Sequence, residues 1–349
     1  MKTKITKYLV IGMVLLLACS IFLTACGDRR SAPAGGGAAV AAADPSQPPA
    51  GYPRRAITAI CPWGAGGATD IAFRQYMAAL SRVINQDINV INVTGGNGSI
   101  GHAQALAAPA DGYTICLLIY DILSNEISGV VRDSYKDFAM LSMFTRQGLH
   151  MFVRRDSGWN TFDDFVRAAR AAGARGQTLQ ITVSGNFRYA AGLMVNAAGI
   201  ADFVTIIPQP GTAEMLTEML GRHAHAMVST FAIALPQLGD GGALMSLGTM
   251  LEERHPDTPD IPTFVEMGYP TVVSSSFRIA ALHKDTPPAI VNYMRWAAGE
   301  AFKDAEFQRW AETARADPFF MDHKELDTFM AQTWLEVRDV MRSLGLAQM

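Results

Sequence analysis

The chain has 349 residues, of which 49 % are apolar and 17 % charged, and its formal net charge at pH 7 is −3. That composition excludes a disordered chain, and the balance of charge leaves no basic field for a nucleic acid. The length suits about two domains.

At the amino end, Lys2, Lys4 and Lys7 precede an uncharged run from Tyr8 to Ala25. A basic flank followed by an apolar stretch and small residues is the pattern of an export signal, although the run is also long enough for a membrane-spanning helix. Leu23-Thr24-Ala25-Cys26 resembles a bacterial lipobox. The expectation is a signal peptide over residues 1–25 and a lipid on Cys26, with Cys19 the weaker alternative. Residues 26–51 are rich in Ala, Gly and Pro without apolar periodicity, which reads as a flexible tether. Only Cys61 and Cys116 remain beyond it. An oxidising compartment would permit a disulfide between them; their apolar, strand-like surroundings favour two small core side chains instead. No Cys/His spacing suggests zinc.

The folded part opens with "AITAICPW" (56–63), a β-rich run. Residues 70–84 repeat apolar positions at helical spacing. Strand-like 87–93, a short helix over 99–110 ended by Pro109, and strand-like 113–119 follow. Strand, helix, strand, helix, strand predicts parallel βαβ units, which bind ligands at the carboxyl ends of their strands. The pattern then restarts: a helix over 161–173 capped by Thr161, a strand over 179–185, a helix over 189–199, a strand over 203–208, a helix over 212–221 and a strand over 223–230. After a strand in 271–282 the chain turns helical over 287–302, 304–315 and 323–344. Two α/β lobes joined by crossing strands predict a hinged clam-shell with a ligand between them.

Two glycine-rich loops stand where a strand feeds a helix. Gly64, Gly66 and Gly67 lie in the first, and Gly95, Gly96 and Gly98 in the second. Their free N–H groups and the helix dipole favour an anion, and a carboxylate suits them as well as a phosphate. The bland alternative is that the glycines only make tight turns. Gly96-x-Gly98-x-x-Gly101, with Asp121 twenty residues beyond Gly101, formally matches a dinucleotide fingerprint. It follows the second strand rather than the first, in a chain that carries an export signal, so Asp121 is expected at a hinge or cleft edge. There is no Gly-x-Ser-x-Gly elbow and no Gly-Lys-Ser/Thr phosphate loop. His223 and His225 alternate along the expected strand, which places them on one side of it; polar packing is the default over a metal site.

The blocks "YPRRAITAICPWGAGGATDIAFR", "INVTGGNGSIGHAQALAAPADGYTI", "DIPTFVEMGYP" and "TPPAIV" resemble the Bug-type solute receptors of tripartite tricarboxylate transporters. The resemblance runs from about Tyr52 to the carboxyl end. It implies an α/β, two-lobed fold of the type II periplasmic-binding-protein kind with a ligand cleft between the lobes, one lobe formed by 52–153 plus 274–349 and the other by 154–273. It implies capture of a small organic carboxylate, without catalysis or cofactor, by a monomer held at the membrane by its lipid. The receptor would sit on the periplasmic or cell-surface face and serve a permease of one large and one small integral subunit. Carried over by position, the ligand would meet Trp63, Ala65, Gly66, Thr69 and Asp70 in the first loop, Asp70 capping the helix and ordering that loop rather than touching an anion. The second loop supplies Gly95, Gly96, Asn97, Gly98 and Ser99. The other lobe supplies Ser184, Asn186, Phe187, Arg188, Pro210, Gly211, Ser229 and Thr230.

The chain departs from that family's pattern at several of these places. Phe187-Arg188 stands where Gly-Ser is usual, Ala191 where a histidine is, Gln209 where the turn has tyrosine, and Asn92-Val93-Thr94 where Asn-Arg-Pro is usual. The far side of the pocket is therefore rebuilt, and Arg188 is expected to pair with a second carboxylate or polar end of the ligand, with Phe187 packed on its body. An arginine at the lobe surface or in a lobe–lobe salt bridge is the alternative. An exported α/β enzyme using a nucleotide or nicotinamide, and a ligand sensor without transport, are the other functional readings.

Overall fold

The computed structural model describes residues 44–349 apart from Val130, Asn186, Pro210, Gly211, Asp240, Leu344 and Met349. The expected signal peptide, Cys26 and most of the tether lie outside the described residues. β1 (Ile57–Cys61), α1 (Ala68–Ile84), β2 (Ile88–Asn92), α2 (Ser99–Ala107), β3 (Thr114–Leu118) and α3 (Asp121–Ile127) form the first βαβ units. A long strand, β4 (Phe138–Arg154), leads to α4 (Phe162–Gly173), β5 (Leu179–Ser184), α5 (Phe187–Ala197), β6 (Val204–Gln209), α6 (Thr212–Leu220), β7 (Ala226–Thr230), α7 (Phe231–Ala234) and β8 (Leu244–Thr249). The chain returns through β9 (Ser275–His283) and ends with α8 (Pro288–Phe302), α9 (Ala305–Thr313), β10 (Pro318–Asp322) and α10 (His323–Ser343).

The strands run in the order β2-β1-β3-β9-β4-β7-β5-β6, with β8 and β10 also on β4. β1 is parallel to β2 and β3, and β5 is parallel to β6 and β7. β9 runs antiparallel to β3 and to β4 from Phe138 to Gly148. From Leu149 onward β4 pairs instead with β7 and β8. One strand thus serves two half-sheets, and the change of partners falls at Gly148–Leu149.

Local sequence explains the elements. α1 buries Ala72, Phe73, Tyr76, Met77, Leu80 and Ile84 at spacings of one to four residues, a helical stripe on the first half-sheet. It stops at Asn85, which takes the left-handed conformation that asparagine tolerates. Thr161 and Asp164 form a capping box at the start of α4, each satisfying a backbone N–H of the other. Side chains of alternating residues fill the two faces of the first half-sheet: Ala59, Leu117, Ala280 and Leu282 against α1 and α8, and Ile60, Cys116, Ile279 and Ala281 against α10. Cys61 and Cys116 are free, buried thiols. A separate core, including Phe152, Phe165, Ile181 and Val228, holds the second half.

The structure corrects one expectation: β7 begins at Ala226, so His223 and His225 belong to the preceding turn rather than to one strand face. His225 Nδ1 there accepts the Gln180 N–H at 3.0 Å. β4, β8, β10 and α3 are elements that the periodicity did not announce.

Candidate functional site

Loop, strand and helix ends from both halves line a cleft of about 790 Å³. Its first wall is the turn between β1 and α1. Gly67 caps α1 in an extended conformation without a side-chain hydrogen bond, so no cap side chain satisfies the N–H groups of the helix's first turn. Gly64, Ala65, Gly67, Ala68, Thr69 and Asp70 all line the cleft beside Trp63, while Gly66 does not. Asp70 is buried, and its carboxylate is fully engaged. It accepts the Gly66 N–H at 2.9 Å, Arg74 Nε at 3.0 Å and Asn92 Nδ2 at 2.7 Å. Asn92 Nδ2 also reaches the Trp63 carbonyl at 2.7 Å. Burial pushes the Asp70 carboxyl up, but the bonds from Arg74, Gly66 and Asn92 outweigh it and hold the group below the usual range. Asp70 therefore fixes the loop and keeps no oxygen for an incoming cation.

The second glycine loop sits differently. Of its five expected residues only Asn97 lines the cleft. Asn97 is left-handed and exchanges bonds with Asn125: its Nδ2 donates to Asn125 Oδ1 at 3.2 Å, and its carbonyl accepts Asn125 Nδ2 at 2.9 Å. Gly98 has φ +87°, and a Cβ there would stand 3.0 Å from Trp63 Cζ2. This glycine lets the loop pass beneath the tryptophan that walls the cleft. Gly95, Gly96, Gly98 and Ser99 support the wall without reaching the cavity.

Between the loops, Asp121 opens α3 and lines the cleft at 4 % exposure, with Oδ1 unpartnered. Burial pushes its carboxyl up to about 7, against the smaller opposing effects of Asn97 and Arg188. From the second half come Ser184, Gly185, Phe187, Thr212 and Thr230. Ser229 is buried with an unpartnered hydroxyl and does not line the cleft. Arg188 is not among the lining residues; its guanidinium lies 4.8 Å from the Tyr189 ring centroid and donates to the Tyr189 hydroxyl at 2.6 Å. Asn186, Pro210 and Gly211 lie outside the described residues.

Sequence reasoning missed the floor of the cleft. Arg278 on β9 and Gln147 on β4 line it together with Ser276, Trp310, Ala314 and Ala316. Arg278 is 5 % exposed; its Nη1 donates to Thr145 Oγ1 at 3.1 Å and to Gln147 Oε1 at 3.2 Å. Gln147 Nε2 is fixed in turn by the Arg315 carbonyl at 3.0 Å. Burial pulls the Arg278 guanidinium down to about 10, still charged at neutral pH. The signal was present in "SSSFRIAAL": an arginine inside an apolar strand is a buried charge that needs a reason.

Two α/β halves, one strand crossing between them and a cleft at the carboxyl ends of β1, β3, β5 and β7 define a two-lobed ligand-binding protein. Residues 72–346 match the family model described as the tripartite tricarboxylate transporter family receptor. A curated Cupriavidus necator protein, described as a UPF0065 protein in the gbd 5′ region, is 27 % identical over 85 % of this chain and 90 % of its own length. Protein BugT of Bordetella pertussis is 24 % identical over 84 % of this chain and 90 % of its own. A TctC solute-binding protein from Polaromonas, solved without ligand, superposes with a TM-score of 0.73 at 25 % identity, covering 84 % of this chain and 99 % of the other. An R. palustris protein solved with adipate gives 0.71 at 23 % identity, over 85 % and 99 %. The chain belongs to the tripartite tricarboxylate transporter receptor family, the Bug-type solute-binding proteins.

Proposed function

We propose that this protein is a lipid-anchored extracytoplasmic receptor that captures a small organic carboxylate as a monomer and presents it to a two-component membrane permease. The observation that carries this reading is the start of α1: a helix of 17 residues whose glycine-capped amino end opens into the cleft. N–H groups without a side-chain cap, and the helix dipole, favour an anion there, and Thr69 adds a hydroxyl. The adipate held by the R. palustris neighbour is a ligand of the same chemistry. The lobes, approximately 52–153 with 274–349 and 154–273, would close over the solute, with the closed form recognised by the permease. In this reading Trp63, Ala65, Thr69, Asn97, Ser184, Phe187 and Thr230 surround the solute, and Arg188 approaches it only on closure.

Mass spectrometry of solute retained by the purified protein tests the reading directly. A small carboxylic acid is expected. A retained nucleotide, or a rise in melting temperature with NAD and none with any acid, would overturn it. Lipid on Cys26 is tested separately by labelled fatty-acid incorporation, which Cys26→Ser should abolish.

A further inference from the structure

Arg278 carries a charge that the protein itself does not match. Among the described residues no Asp or Glu lies within 4.0 Å of its guanidinium. Asp317 contributes a field at longer range, but its carboxylate is engaged with His255 at 3.5 Å. Both hydrogen bonds that Arg278 makes come from Nη1 and go to neutral oxygens. Nε is buried without a partner. The unpaired side of the group is thus the Nε–Nη2 edge, with Nε itself covered; its two N–H bonds run parallel and match the two oxygens of a carboxylate. Leaving a buried ionic group unpaired is costly, so a site that keeps one is built for an anion that arrives from outside. The cleft supplies the route, since Arg278 lines it, and among its lining residues Arg278 is the one cation, beside Asp70 and Asp121.

We propose that Arg278 is the specificity-determining anchor of the cleft, taking a carboxylate of the solute side-on through Nε and Nη2 while Thr145 and Gln147 hold its Nη1. The proposal rests on the receptor reading above and goes beyond it: selection of an acid over its neutral amide is made by one buried side chain, not by loop N–H groups alone. Peptide N–H donors discriminate weakly between a carboxylate and an amide carbonyl; an unpaired guanidinium discriminates strongly. Arg278, on β9, is also bonded to Thr145 and Gln147 of β4 close to the point where that strand changes partners, so a bound anion would tie the solute to the crossing segment.

The test measures binding to the full-length mature protein by calorimetry. The probes are adipate, succinate and a panel of monocarboxylates, each paired with its primary amide. Wild type should bind at least one acid and reject its amide. Arg278→Met should weaken that acid roughly 10- to 100-fold, the range of a charge-assisted hydrogen-bonded pair, and largely erase the preference for acid over amide. Arg278→Lys, which keeps the charge without the fork, should retain the preference at reduced affinity and serves as the folding control if the methionine variant is unstable. Acid binding unchanged in Arg278→Met, or acid preference lost in a folded Arg278→Lys, would overturn the anchor and leave the receptor reading standing. Failure of wild type to bind any acid would overturn both.

Discussion

Asp121 holds its proton longer than an ordinary aspartate because burial disfavours its ionised form, with a folded-state value of about 7 against 3.8 in the open chain. Between those values the folded protein binds a proton that the unfolded chain has released, so stability falls as pH rises from about 4 to about 7 and levels off above. Three units at 1.36 kcal/mol each set a ceiling of about 4 kcal/mol on the effect. Asp121→Asn should flatten this slope and raise the melting temperature at pH 8 relative to wild type; a pH series of thermal melts in both proteins decides it, and parallel slopes would count against the assignment. Asp70 works in the opposite sense, since its carboxylate is wanted ionised by Arg74 and the Gly66 N–H. Asp70→Ala should cost about 1–3 kcal/mol, the price of stranding those donors, and loosen the loop enough to weaken solute binding. That Asp70 orders its loop was readable from an acid set after a glycine run, but its expected capping of α1 is not seen, because Gly67 holds the cap position and Asp70 lies inside the helix, bonded to Gly66, Arg74 and Asn92. For Arg278 the sequence marks only a charge inside an apolar strand; that its Nε is unpaired and its Nη1 held by neutral oxygens of β4 is visible only in the structure.

Among the elements, the parallel units were legible because each strand is short, apolar and bounded by glycine, proline or a cap. β4 was not. Thr145, Arg146, Gln147 and Gly148 interrupt its apolar run, and a polar middle reads as a break between elements. In the structure Thr145 and Gln147 face Arg278, and Arg146 reaches Ser275 at 3.0 Å and Glu252 at 2.8 Å, so partners distant in sequence supply what the polar residues need. The second glycine loop was legible as a turn but not as a support. Gly98→Ala combines a left-handed backbone with a Cβ pressed on Trp63, and should shift that ring, lower stability by about 1–2 kcal/mol and weaken solute capture. Thr161→Ala removes the cap of α4, remote from the cleft, and should cost about 1 kcal/mol with solute affinity unchanged. Chemical denaturation with binding on the same samples distinguishes the two variants.

For the molecule as a whole, ligand binding and stability are linked. Solute at a hundred times its dissociation constant should stabilise the folded state by about 2.7 kcal/mol, and Arg278→Met at the same solute concentration should cut that gain to about 0.4–1.4 kcal/mol. The architecture of paired α/β halves follows from element order alone, whereas the point of crossing does not, since pairing across a sheet is a tertiary choice that periodicity never encodes. That crossing has a mechanical corollary. Because β4 is ladder-bonded to β9 and β10 along one stretch and to β7 and β8 along the next, neither half can shed its sheet without tearing the backbone support of its neighbour. Calorimetry of the apo protein should therefore register one endotherm rather than two, and fragments severed at residue 148 should remain unfolded until mixed.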